Sequence, residues 1–215
     1  MQPYKLLVFD WDGTLSDSSA TIVRALQEAC QALGLCVPSY GTVLHIIGLG
    51  LREGLFYAVP ELTDDQFEPL AELYRQRYFA KRDEVSLYPG VKEGLAVLKK
   101  AGFDLAVATG KSRYGLDQAL DHLDLRSCFV TTKTADETAS KPNPEMLFDI
   151  MDIMNVEAKD SLMIGDTTHD LQMAINAGVP SVAMTYGAHE LSELLPLSPL
   201  ACFDRFDALV SWLSD

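Results

Sequence analysis

Between Val91 and Thr185 the sequence alternates amphipathic stretches with short apolar runs, and this alternation limits the fold more than any other feature. The amphipathic stretches repeat apolar residues at helical spacing, whereas the runs between them are short, continuous and apolar, as buried strands are. The predicted helices of this stretch cover residues 91–102, 113–123, 144–155 and 170–178, and its predicted strands cover residues 103–109, 128–132, 161–166 and 180–185. Another strand of the same apolar kind is predicted near the N-terminus, at residues 5–10. This order favours an α/β fold, a doubly wound parallel sheet with right-handed crossovers.

The segment that follows the first predicted strand has a different pattern. Residues 18–34 and 63–83 have helical spacing, and Thr63 with Gln66 three residues later forms a capping-box sequence at the start of the second helix. Strand patterns are absent from this part of the sequence. We therefore predict a core domain made of residues 1–17 and 85–215, interrupted by a small all-helical cap domain, residues 18–84.

Composition and charge narrow the classes of partner. The chain has 215 residues and a formal net charge of −14, with a sequence pI of about 4.6. Such acidity disfavours nucleic acid and anionic membrane as partners, and it requires a local cation wherever a phosphorylated substrate binds. No stretch has the pattern of a signal peptide or a membrane span, so a cytoplasmic location is the expectation. Nothing in the sequence distinguishes a monomer from a homodimer.

Two aspartates, Asp10 and Asp12, directly follow the first apolar run. Burying two like charges is costly, and a divalent cation would make this placement favourable. Thr109 and Asp166 also stand at the ends of predicted strands. Because ligands of open α/β sheets bind beyond the carboxyl ends of the strands, we expect these side chains to line one site.

Four short motifs at these positions carry a family resemblance. They are "DWDGT" at 10–14, "ATGKS" at 108–112, "SKPNP" at 140–144 and "GDTTHD" at 165–170. In this order and context they resemble the motifs of haloacid dehalogenase (HAD) superfamily phosphatases with a helical cap after the first motif, subfamily IA. The stretches "TADETASKPNPEML" and "GLGLREGL" make the chain most similar to the phosphoglycolate phosphatase-like members.

The resemblance implies roles for the acidic residues. Asp10 would be the nucleophile that attacks phosphorus and forms an aspartyl-phosphate, and Asp12 would be the general acid and then the general base. The cofactor would be Mg²⁺, held by the Asp10 carboxylate, the backbone carbonyl of Asp12, and Asp166. Asp170 would complete this metal site from a second layer, by binding a coordinated water or by orienting Lys141.

The resemblance also implies which residues bind the substrate, a small phosphorylated metabolite such as 2-phosphoglycolate. Thr109 and the backbone amide of Gly110 would hold phosphoryl oxygens where a strand turns into a helix. Lys141 would neutralise both the nucleophile and the phosphoryl group. Arg52 of the cap would bind an anion on the leaving group through its guanidinium. Lys111 is open between a position near the phosphate and plain exposure.

Other reactions use similar residues. A dehalogenase or a phosphonatase-like enzyme would not need the second acid, so Asp12 speaks against both. A sugar-phosphate mutase of the same superfamily retains both acids and stays open. A signalling module that accepts one phosphoryl group without turnover also combines acids with Mg²⁺ on a doubly wound sheet, but such modules lack the inserted helices.

Overall fold

The computed structural model describes residues 4–214 and contains one large sheet, one short two-stranded sheet and ten α-helices in that range. The strands are β1 (Leu6–Phe9), β2 (Ser16–Asp17), β3 (Ser86–Leu87), β4 (Asp104–Thr109), β5 (Thr131–Thr134), β6 (Ser161–Gly165), β7 (Ser181–Met184) and β8 (Cys202–Phe203). The helices are α1 (Ser19–Leu33), α2 (Tyr40–Ile46), α3 (Leu51–Ala58), α4 (Asp64–Ala80), α5 (Val91–Lys100), α6 (Arg113–His122), α7 (Glu145–Met154), α8 (Thr168–Ala177), α9 (Leu191–Leu194) and α10 (Phe206–Ser214).

The large sheet is parallel, with strand order β5-β4-β1-β6-β7-β8. Strand β1 is central, and its residue Leu7 lies opposite Leu105 of β4 and Leu162 of β6. Successive side chains of a strand point to opposite faces, and β1 shows this directly. Leu7 and Phe9 belong to a hydrophobic cluster with α5, α6 and α10, whereas Leu6 and Val8 pack with α7 and α8. Helices thus cover both faces, and the predicted doubly wound α/β fold is confirmed.

Four helices, α1 to α4, lie between β2 and β3. These two short strands pair antiparallel, so the chain enters and leaves the helical segment side by side. The four helices share a hydrophobic cluster of their own that includes Leu26, Val43 and Leu70. At the start of α4 the Gln66 side chain accepts a hydrogen bond from the Thr63 backbone N–H at 3.2 Å. The exact division into residues 18–84 and the two core segments stays a prediction.

Strand β5 differs from its prediction. The pattern placed a strand at 128–132, whereas residues Arg126–Cys128 form a 3₁₀ turn and β5 runs over Thr131–Thr134. Strand β5 lies at the sheet edge and has the polar sequence TTKT, mostly half-buried, so an apolar-run criterion missed it. The C-terminal elements β8 and α10 were also not predicted. Among the described residues, no helix is long and apolar enough to cross a membrane.

Candidate active site

The ends of three neighbouring strands bring the predicted polar residues together. Asp10 follows β1, Thr109 ends β4 and Asp166 follows β6, and β4, β1 and β6 are adjacent in the sheet. All three side chains are buried. The parallel strand order therefore gathers, at one edge of the sheet, residues that lie up to about 156 positions apart in sequence.

Three carboxylates form an acid cluster at this edge. Asp10, Asp166 and Asp170 each offer one oxygen, and the three oxygens lie within 4.8 Å of one another. Burial raises the pKa of the Asp10 carboxyl to about 7, although the neighbouring Lys141 ammonium lowers it. Burial, together with the nearby carboxylates of Asp10 and Asp170, also raises the pKa of Asp166 well above its ordinary value. The raised pKa values indicate that the surrounding protein does not fully compensate the negative charge of the three carboxylates.

Lys141 is the one cation among the described residues that contacts this cluster directly. Its Nζ lies 2.5 Å from Asp10 Oδ1 and 2.6 Å from Asp170 Oδ1, and its side chain is fully buried. Burial alone would lower the pKa of the ammonium, but the two carboxylates outweigh burial and raise it, so Lys141 is charged. The lysine stands before a cis peptide bond to Pro142 in the loop between β5 and α7. The Lys141 ammonium bridges the Asp10 and Asp170 carboxylates.

The acid cluster fits a hard divalent cation. Asp10 Oδ2 is buried and has no hydrogen-bond partner, so an oxygen is available where a ligand would be needed. The second oxygen of Asp170 is occupied, because it accepts from the backbone N–H and the hydroxyl of Thr167 at 3.0 and 2.7 Å. Gly13 and Gly187 line the Asp166 carboxylate so closely that a Cβ on either would overlap it. An all-oxygen donor set in this compact space suits a hard divalent cation.

Asp12 lies apart from the acid cluster and has its own partners. Its Oδ1 accepts a hydrogen bond from Ser18 Oγ at 2.6 Å, and both of its oxygens lie 2.9 Å from Lys111 Nζ. Lys111 also donates to the Tyr78 hydroxyl at 3.2 Å, and its ammonium lies 4.7 Å from the centroid of that ring. Tyr78 belongs to α4 of the cap. The spacing of apolar residues along one helix does not reveal a contact of this kind with a lysine of the core.

The cap covers the loop after β4, where the sequence predicts a phosphate-binding site. A Cβ on Gly110 would overlap the backbone carbonyls of Gly48 and Leu49, so only glycine allows this approach. The neighbouring Gly50 N–H donates to Ser140 Oγ of the core at 2.7 Å. Thr109 Oγ1 accepts from the backbone N–H of Lys111 at 3.2 Å and lies beneath this cover. The cap loop, residues 47–50, is therefore docked on the core.

Arg52 is the predicted site residue that the structure does not bring to the others. Its guanidinium pairs with Asp64 Oδ1 at 2.5 Å and lies 4.9 Å from the ring centroids of both Phe56 and Phe67. The side chain is 56% exposed. Aromatic stacking and an acid at the start of α4 hold Arg52 within the cap, away from Asp12.

Three histidines that are distant in sequence meet where the cap contacts the core. The backbone carbonyl of His45 in α2 lies 2.8 Å from His169 Nε2 and 3.2 Å from His189 Nε2. The Thr168 backbone N–H donates to His189 Nδ1 at 3.1 Å, so His189 carries its proton on Nε2 and donates it to His45. Burial lowers the pKa of both His169 and His189. No sequence signal connects these residues, because no ligand-like spacing links them.

The chain is similar to known proteins in both sequence and fold. A family model described as "Haloacid dehalogenase-like hydrolase" matches residues 7–184. The chain is 36% identical to the "Probable phosphatase IndB" of Dickeya dadantii, over 95% of this chain and 91% of that protein. It is 32% identical to the phosphoglycolate phosphatase of Agrobacterium fabrum, over 95% of this chain and 90% of that protein.

The fold is also found among solved structures. A hydrolase from Pseudomonas syringae superposes with a TM-score of 0.90 at 26% identity, and the match covers 99% of this chain and 98% of that one. Both the helical insertion and the sheet are included in a match of this extent.

Proposed function

We propose that this chain, which belongs to the haloacid dehalogenase-like hydrolase family as one of its phosphatases, hydrolyses a small phosphomonoester with Mg²⁺ through an aspartyl-phosphate on Asp10. One observation carries the proposal: a buried carboxylate at the end of the central strand has one oxygen bound to Lys141 and the other without a partner. A capping or purely structural aspartate would have both oxygens hydrogen-bonded. The unpartnered oxygen is available to a metal ion.

The first half of the reaction divides the work between the two aspartates. An oxygen of Asp10 attacks phosphorus, the bond to the leaving oxygen breaks, and Asp12 gives that oxygen a proton. In the second half Asp12 takes a proton from water, which attacks the aspartyl-phosphate and releases phosphate and free Asp10. Proton transfer of this kind contributes typically ~10²–10⁴ in rate.

The surrounding residues orient and neutralise the reacting groups. Lys141 holds Asp10 in place and offsets the charge of the phosphoryl group, while Thr109 and the Gly110 amide bind phosphoryl oxygens. When bound by Asp10, Asp166 and the Asp12 carbonyl, Mg²⁺ supplies positive charge that offsets the negative charge of the phosphoryl oxygens. The docked cap loop, residues 47–50, excludes water from the first half of the reaction.

We propose that the leaving group is anionic, and 2-phosphoglycolate is the simplest substrate of this kind to assay. The named activity of the Agrobacterium relative supports this choice. The position of Lys111 supports it independently, because its ammonium lies 2.9 Å from Asp12, the residue that would meet the leaving oxygen. A carboxylate one carbon away from that oxygen would lie within reach of this ammonium.

The proposal is tested by phosphate release. Purified protein with Mg²⁺ should release many phosphates per chain from 2-phosphoglycolate, and EDTA should stop the release. Asp10→Asn should abolish it, whereas Asp152→Asn, which changes an exposed acid on α7, should leave it unchanged. A rapid acid quench should trap phosphate bound covalently to the wild-type chain and none on Asp10→Asn. Wild-type turnover by a correctly folded Asp10→Asn protein would refute the mechanism, and a single phosphoryl transfer per chain would refute hydrolytic turnover.

A further inference from the structure

A cavity of about 130 Å³ lies between the cap and the core, and Asp12, the proposed general acid, is one of its lining residues. On the core side Asp12, Gly110 and Lys111 line it. Asp12 is the residue that would protonate the leaving oxygen. A leaving group must therefore extend from Asp12 into this cap cavity.

The walls beyond Asp12 are mainly apolar and come from the cap. Helices α1, α3 and α4 and the cap loop provide them, chiefly through Ile22, Leu26, Ile47, Leu49, Leu55 and Phe79. Binding in such a cavity is favourable when an apolar ligand covers the apolar walls. A polar ligand binds there with little gain in affinity.

Two cationic side chains line the cavity, Arg75 and Lys111, and their acidic partners lie in different places. Arg75 is paired within the cap, since its Nη1 lies 3.1 Å from Glu68 and 3.7 Å from Glu72. Lys111 lies at the catalytic end and has the Asp12 carboxylate as its acidic partner. The cavity thus offers a cation next to the leaving oxygen and apolar surface farther away.

A two-carbon acid matches only the first part of this arrangement. Glycolate has one methylene group, so its carboxylate could reach Lys111 while the apolar walls stayed uncovered. Apolar cavities of roughly 150 Å³ accommodate a benzene ring. The cap cavity has a similar size.

From this match, and resting on the proposed phosphatase activity, we propose that the preferred substrate is an O-phosphorylated 2-hydroxy acid larger than phosphoglycolate. Its carbon next to the phosphate would bear an apolar substituent about the size of a ring. Lys111 would bind the carboxylate, and the cap walls would enclose the substituent.

Four phosphomonoesters, the last as its two separate enantiomers, distinguish the contributions of the carboxylate and the ring: methyl phosphate, 2-phosphoglycolate, benzyl phosphate and O-phosphomandelate. The first pair differs by a carboxylate, and so does the second, whereas the ring distinguishes the pairs. We expect kcat/KM for the better enantiomer of O-phosphomandelate to exceed that for 2-phosphoglycolate by at least tenfold, and benzyl phosphate to exceed methyl phosphate similarly.

A cavity-filling variant with a matched control tests where the ring binds. Leu51→Trp, at a half-buried leucine that lines the cavity, should lower the ratio of O-phosphomandelate to 2-phosphoglycolate activity at least fivefold. Leu44→Trp, at a half-buried leucine of the same cap cluster outside the cavity lining, should leave that ratio unchanged. Thermal denaturation checks that both variants fold, and the wild-type ratios alone test the proposal if one does not.

The outcomes separate the two proposals. If 2-phosphoglycolate is hydrolysed as well as, or better than, both enantiomers of O-phosphomandelate, the larger substrate is refuted and the phosphatase stands. If Leu51→Trp and Leu44→Trp change the ratio equally, the cap cavity is not the binding place. If none of the four esters, nor p-nitrophenyl phosphate, releases phosphate with Mg²⁺, the proposed function itself fails.

Discussion

Asp10→Asn should stabilise the metal-free protein while it abolishes turnover. Asp10 is buried against two other carboxylates, and the pKa of its carboxyl is raised from 3.8 to about 7. Holding that carboxylate ionised in the folded protein therefore costs about 4 kcal/mol relative to the unfolded chain. Asparagine removes this cost and still offers an amide oxygen to Lys141, which keeps its ion pair with Asp170.

The sign of the pH dependence follows from the raised pKa. Asp10 contributes stability that is fully present below its ordinary pKa of 3.8 and is lost as pH rises through about 7. The variant and the wild type should thus be equally stable below about pH 4. At pH 5 the variant should be more stable by about 2 kcal/mol, and at pH 8 by up to about 4 kcal/mol.

Urea denaturation in EDTA at pH 4, 5 and 8 measures this difference, and circular dichroism reports unfolding. If the same variants are unfolded by heat instead, each kcal/mol corresponds to a shift in melting temperature of roughly 2–4 °C for a chain of this length. Asp152→Asn is the control, because an exposed acid should change stability by less than about 0.5 kcal/mol at every pH. The reasoning would be refuted if Asp10→Asn were less stable than the wild type at pH 8, or if their difference in free energy of unfolding did not change with pH. Either result would show that Lys141 compensates the Asp10 carboxylate fully.

Three further predictions follow from the same site. Mg²⁺ affinity, measured by calorimetry, should weaken at least about tenfold per pH unit below pH 7, because the proton on Asp10 must leave before the metal binds and the raised pKa of Asp166 makes the dependence steeper; a constant affinity would argue against Asp10 as a ligand. Gly13→Ala should lower the free energy of unfolding by about 3 kcal/mol, since its Cβ would overlap the Asp166 carboxylate, whereas Gly34→Ala, also at positive φ but in open space, should cost about 1 kcal/mol; equal losses in urea denaturation would contradict the packing argument. Arg52→Ala should change kcat/KM less than twofold for both 2-phosphoglycolate and p-nitrophenyl phosphate, and a tenfold loss on 2-phosphoglycolate alone would return Arg52 to the leaving group.

The sequence by itself determined the order of helices and strands in the core, apart from the short strands β2 and β3, the edge strand β5 and the elements after β7. Local spacing of apolar residues sets this order, because a helix and a strand each bury one side of a short segment. It also determined the family, through motifs that keep their residues within a few positions of one another. The polar ends of β1, β4 and β6 could be predicted to meet because parallel strands share one edge.

The tertiary structure alone decided which side chains touch across the cap and the core. Asp12 and Lys111 are 99 positions apart, and Tyr78 contacts Lys111 from α4 of the cap. Arg52 stands in a motif-like stretch, yet its orientation depends on Asp64 and on two aromatic rings of the cap. The shape of the cap cavity likewise arises from how the four cap helices pack over the loop that follows β4. Such contacts depend on the docking of distant segments, and periodicity along the chain carries no information about that docking.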